Sequence, residues 1–198
     1  MFRVLIISAL CMGMLLGCDE EDSQAIDGFD EQEILDQRLE KDNTFRGDES
    51  PLPPSKRENF RGLPYYAPDA AFAVIATFEQ FSTPDTITLQ TSTNEPRRAI
   101  RAGRFLFDLE GKKLSLTAFR FLDGAEDSYF VPFTDNTSGS TTYKAGRYLD
   151  VAADSDNLTI LDFNQAYNPY CAYSEAYSCP LVPSENNLPV SIRAGEKH

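Results

Sequence analysis

The densest run of chemistry-bearing side chains is DFNQAYNPYCAY, Asp162 to Tyr173, followed shortly by Cys179 and Pro180. It places a carboxylate (Asp162), amides (Asn164, Asn168), phenols (Tyr167, Tyr170, Tyr173) and a thiol (Cys171) within one short stretch. A core strand could not satisfy that many donors and acceptors cheaply. Amide and carboxylate edges beside tyrosine faces match a small polar ligand or a glycan, whose hydroxyls need partners and whose ring faces need flat apolar surface. Upstream, Asp135 and Thr137 lie in a glycine-containing turn, and Tyr143 and Arg147 lead into a strand; downstream lies Asn186. The candidate ligand-binding set is therefore Asp135, Thr137, Tyr143, Arg147, Asp162, Asn164, Asn168, Tyr170 and Asn186.

Catalysis has fewer routes. His198 is the only imidazole, and it stands at the end of the chain, so neither a Ser/His/Asp triad nor a Cys/His pair is assembled. A carboxylate-dependent hydrolase remains open, with Asp135 and Asp162 as acid and base and Glu196 as a third candidate; their separation would decide it. No cofactor is expected, because GSTTYKAG lacks the spacing of a phosphate loop. No metal site is expected either, since zinc takes four ligands drawn mainly from Cys and His. A purely structural reading stands beside these: Asp135 and Thr137 stabilise a turn, Arg147 pairs with Asp162, and the tyrosines pack with their hydroxyls satisfied.

These side chains must be held by strands. Alternating apolar residues between turn signals predict eight, over 72–80, 86–93, 98–109, 112–122, 128–133, 143–151, 158–165 and 190–194. Thr83-Pro84-Asp85, Glu110-Gly111 and Asp123-Gly124 read as turns, and Gly103 as a bulge or a point of tight packing. Phe72, Val74, Ala76 and Phe78 share one face, as do Phe105, Phe107 and Leu109. The expected fold is mainly β: an antiparallel β-sandwich or a partly open barrel, preceded by a short helical and proline-rich segment whose helical turn Ser55 would cap. In the strand over 158–165, Asp162 and Asn164 would point the same way.

The N-terminus carries its own signal. MFRVLIISALCMGMLLGC has one basic residue, an apolar run too short to span a bilayer, and then acidic residues, so residues 1–17 read as a signal peptide. The LLGC ending resembles the bacterial lipobox, which implies lipid attachment at Cys18. Membrane lipid would then be a partner, and the domain would sit in the cell envelope, in the periplasm or on the cell surface. Residues 18–40 read as an acidic tether: Asp19 to Glu40 holds ten acidic residues against Arg38 alone, although Ile34, Leu35 and Leu39 could line a short helix. Residues 41–198 form a single β-rich domain. The formal net charge is −13, with no basic stripe, so nucleic acid is not expected as a partner. Of four cysteines, Cys11 leaves with the leader and Cys18 takes lipid, so Cys171 and Cys179 are expected to form a disulfide in an oxidising compartment.

From Ser50 onward several longer stretches carry a family likeness: SPLPPSKRENFRGLPYYAPD, FVPFTDNTSG, TYKAGRYLD, DFNQAYNPYCAY and CPLVPSENNLPVSIRAGEK. On these the chain resembles a bacterial family known as domain of unknown function 1684. The resemblance implies one domain and supplies motif positions; it implies no activity.

Overall fold

The computed structural model describes residues 29–124, 128–152 and 158–198. Cys18, its leader and the tether up to residue 28 lie outside them. Six strands form one antiparallel sheet: β1 Ala73–Leu89, β2 Arg97–Leu109, β3 Lys112–Phe121, β4 Ser128–Phe133, β5 Arg147–Ala152 and β6 Leu158–Asp162. Their order is β5-β4-β3-β2-β1-β6. The two edges curl towards each other, and Tyr148 on β5 exchanges backbone hydrogen bonds with Tyr167, five residues beyond β6. The sheet is thus a nearly closed barrel, the second of the two architectures expected.

The interior is apolar because alternate strand residues face inward. Val74, Ala76, Phe105, Phe107 and Leu109 are buried in it, with Phe72 and Phe78 packed against it. Glu110 and Gly111 both have positive φ, 52° and 70°, as a two-residue hairpin turn between β2 and β3 requires. Gly103 sits at a register shift between those strands, and a Cβ there would come within 2.5 Å of Glu79 O.

Four expected strands came out differently, and a fifth, over 143–151, starts only at Arg147. The segments 72–80 and 86–93 are parts of one long β1, because Pro84 falls within a bulge: pairing with β2 skips from Gln80 to Asp85, and an unpaired position tolerates a residue without an N–H. The strand over 158–165 stops at Asp162, whose side chain accepts from Asn164 N and starts a 3-10 turn over Phe163–Gln165. Segment 190–194 forms no strand. Val190, Ile192 and Ala194 are buried, but the carbonyls of Ile192 and Ala194 accept from the Arg147 guanidinium.

Two helices precede the barrel, α1 Glu31–Arg46 and α2 Pro54–Arg57. Helix α1 is capped by Asp30, carries Glu31 and Glu33 in its first turn and Arg46 in its last, all favourable to the helix dipole. Residues 31–40, expected as part of the acidic tether, are therefore helical. Ile34, Arg38, Lys41 and Phe45 fall on one face at helical spacing and dock on the barrel, while Leu35 and Leu39, expected to line one side with Ile34, are exposed. Helix α2 starts with Pro54 at its first position and has no side-chain cap, so Ser55 does not cap it. Among the described residues no helix is long and apolar enough to cross a membrane.

Candidate functional site

Most of the polar residues singled out by the sequence hold irregular backbone in place. A buried non-strand segment still needs partners for its N–H and C=O groups. Asn186 meets that need where β3 and β4 diverge and pair only at Phe119 and Phe130. Its amide accepts from Thr117 N at 2.8 Å and donates to Thr117 O and Pro132 O at 2.9 and 2.7 Å. Asn164 does the same for Asp69, accepting from its N–H and donating to its carbonyl, both at 2.9 Å. Asn168 donates to Lys197 O at 2.9 Å.

Arg147 is the largest such device. Its side chain is fully buried and donates to Asp135 Oδ2 at 2.7 Å and to the carbonyls of Ile192, Ala194 and Glu196. Burial lowers its pKa, and the Asp135 carboxylate opposes that shift. Asp135 Oδ1 accepts from Thr137 N and Thr137 Oγ1, and Thr137 Oγ1 meets Thr142 Oγ1 at 2.9 Å. The structural reading paired Arg147 with Asp162; its partner is Asp135. Asp162 is instead bonded to Asn164, through both the backbone N–H and the amide. Asp162 and Asn164 thus meet by a local turn and not as neighbours on a strand face.

The concave surface lies elsewhere, under helix α1. A cleft of about 660 Å³ is bounded by α1 (Glu40, Lys41, Thr44, Phe45), by Arg97, Phe121, Phe130, Tyr148 and Asp150 of the sheet, and by Tyr167, Tyr170, Tyr177 and Cys179 of the loop after β6. Of the sequence candidates only Tyr170 lines it; Asn164 lines a smaller adjoining cavity of about 230 Å³ between α1 and the barrel. Tyr143 packs on His198 at 5.0 Å between ring centroids and lines neither.

The cleft walls are interlocked rings. Phe130 and Tyr148 stand 4.6 Å apart, Tyr170 and Tyr177 5.1 Å, and Arg97 lies 3.6 Å over the Phe121 ring. Tyr148 OH donates to Pro180 O and Tyr167 OH to Asp150 Oδ2 at 2.7 Å. Burial holds both phenols well above the ordinary tyrosine range, so they stay neutral donors. Glu40, Lys41, Arg97, Thr44 and Ser178 supply polar groups around these faces. The sequence carried a signal for this wall, since Phe45, Phe121 and Tyr177 are aromatic, but three residues from separate elements announce no shared surface until they are folded together.

Of the two described cysteines, Cys179 lines the cleft. Both are free thiols in the structure, so the expected disulfide is not formed there, yet Cys171 N donates to Cys179 Sγ at 3.1 Å. Burial, followed by the neighbouring Cys171 thiol, pushes the Cys179 thiol up to about 12. Among the described residues no group of three or more His, Cys, Asp or Glu side chains is placed to hold a metal ion.

Comparisons with known proteins agree with the fold and leave the chemistry open. A family model described as protein of unknown function (DUF1684) matches residues 58–197. A solution NMR structure of an uncharacterized protein of Haloarcula marismortui is 40% identical, with a TM-score of 0.69, covering 85% of this chain and 94% of that one. Comparison with curated proteins finds no match.

Proposed function

The chain belongs to the DUF1684 family of proteins of unknown function, and from that premise, which carries a fold and no reaction, we propose that it is a lipid-anchored envelope protein that binds a small polar ligand, a glycan, in the aromatic cleft under helix α1. The observation that carries the binding reading is the wall formed by Tyr148, Tyr167, Tyr170 and Tyr177 with Phe45 and Phe121 across a cleft of about 660 Å³. Flat rings stack against the C–H faces of a sugar, and the polar groups of Glu40, Arg97 and Ser178 supply hydroxyl partners at its edges. The volume falls in the range of small-molecule sites, roughly 300 to 1,000 Å³.

Support for the anchor is the apolar leader and LLGC ahead of Cys18. Two or more acyl chains at that cysteine would hold the protein on a membrane. A hydrolytic reading gains nothing from Asp135 and Asp162: the first is spent on Arg147 and Thr137, the second on Asn164, and neither lines the cleft.

The binding reading is tested by screening the purified protein against neutral and acidic oligosaccharides, then repeating with Tyr170→Ala, Tyr177→Ala and the double variant. A ligand is expected whose affinity drops at least tenfold in the double variant while the thermal midpoint stays near wild type, since Tyr170 is 45% exposed. No bound saccharide, or one whose affinity ignores both substitutions, would overturn it.

A further inference from the structure

Glu196 is fully buried, and its carboxylate is held in a fixed orientation by the barrel itself. Asn168 N donates to Oε2 and Tyr173 OH to Oε1 at 2.8 Å. Gly195, with φ +72°, makes the turn that brings Glu196 N onto Ala166 O at 2.8 Å; a Cβ at Gly195 would come within 2.5 Å of that same oxygen. A buried carboxylate left with neutral donors alone would be costly. Its ion-pair partner comes from outside the barrel: Lys41 of helix α1, with Nζ 3.3 Å from Oε2. The same ammonium lies 4.9 Å from the centroid of the Tyr167 ring, within cation–π range. A fixed carboxylate below and an aromatic face beside it are what a primary ammonium group needs: charge, acceptors for its N–H groups and a polarisable wall.

We propose that the Glu196–Tyr167 pocket is a binding site for primary alkylammonium groups, and that helix α1 fills it in cis with Lys41. Lys41 and Tyr167 both line the cleft and the smaller cavity beside it, so a ligand amine has an approach to the pocket. The rest of the hold on α1 includes Ile34 and Phe45, which are buried, Arg38, which donates to Tyr66 O and Asn164 O and stacks over Tyr65, and Asp42, which accepts from Leu63 N at 2.9 Å. Displacing Lys41 therefore leaves the helix anchored at both ends. This site goes beyond the saccharide reading and stands without it.

The test uses n-propylammonium, which replaces the atoms lost in Lys41→Ala. The variant is expected to melt lower than wild type and to regain its midpoint in a saturable way with added n-propylammonium chloride. n-Propanol, which lacks the charge, tetramethylammonium chloride, which lacks N–H donors, and sodium chloride at matched strength should not restore it. Adding Glu196→Gln to Lys41→Ala should abolish the rescue. A variant that melts identically with all four additives overturns the proposal, as does rescue that survives Glu196→Gln. Should Lys41→Ala not fold, wild-type hydrogen exchange decides: n-propylammonium must accelerate exchange of the α1 amides around Lys41 relative to matched sodium chloride, and equal rates refute the site.

Discussion

Arg147 and Asp135 form an ion pair sealed from water, Nη2 to Oδ2 at 2.7 Å between side chains 1% and 0% exposed. It joins β5 to the turn after β4 and, through the remaining guanidinium donors, pins the C-terminal segment against the barrel. Removing either partner strands a charge in the interior.

Asp135→Asn and Arg147→Ala are each expected to cost about 3 to 5 kcal/mol, a fall in melting temperature on the order of 10 °C for a chain of this size. The double variant should be much less destabilised than the sum of the singles, because the two side chains act as one unit. Asp162→Asn should cost less than about 1 kcal/mol, since Asn also caps a turn. Thermal melts of the four proteins check all of this, and additive losses for Asp135 and Arg147 would contradict the coupling.

Alkaline pH should unfold the reduced protein through protons that the fold retains. Burial raises the Tyr148, Tyr167 and Tyr173 phenols above their ordinary 10.0, and the Cys179 thiol from 9.0 to about 12. Below pH 9 folded and unfolded chains both keep these protons, and the groups give no slope. Above it the unfolded chain releases them first, the folded state binds more, and stability falls as pH rises. Lys41, lowered by burial from 10.5, has the opposite sense and offsets part of the loss. Urea midpoints should therefore drop between pH 9 and 12, with phenolate absorbance of the buried tyrosines appearing together with unfolding. Early, unfolding-independent ionisation of every tyrosine would refute this.

Cys171 and Cys179 should bond on oxidation by thiol–disulfide exchange with a low-molecular-weight disulfide, because Cys179 Sγ already lies against Cys171 N. Closing a loop of this length stabilises by about 2 to 3 kcal/mol in the chain-entropy model. Intact mass should fall by two hydrogens, and the oxidised form should melt higher than the reduced one. Recovery of both thiols by alkylation under denaturing, non-reducing conditions after such treatment would count against it.

Cys18→Ala is expected to release the protein from membranes. Detergent phase partitioning of cells expressing wild type and variant measures it: wild type in the detergent phase, variant in the aqueous phase. Equal partitioning would remove the anchor from the proposal.

The sequence by itself determined the class of fold, the inward faces of β1 and β2, the β2–β3 turn at Glu110-Gly111 and the family, because alternation and turn chemistry are local properties of the chain. It also singled out Asn164, Asn186 and Arg147, but did not show what they do. Asn164, Asn186 and Arg147 look the same in sequence whether they serve a ligand or a stranded carbonyl; only the tertiary structure decides, by showing which backbone groups lack strand partners. Segment 190–194 alternates like a strand, and Arg147 takes the place of its neighbour. Residues 31–40 of helix α1 read as tether with at most a short helix at Ile34, Leu35 and Leu39, because the face that docks, Ile34, Arg38, Lys41 and Phe45, mixes two apolar residues with two charged ones. The charges earn their place only against Asn164 O, Tyr66 O and Glu196, which lie far along the chain. The cleft depends wholly on that docking: its walls come from α1, the sheet and the loop after β6, and no local pattern records that the barrel closes at Tyr148 and Tyr167 to bring them together.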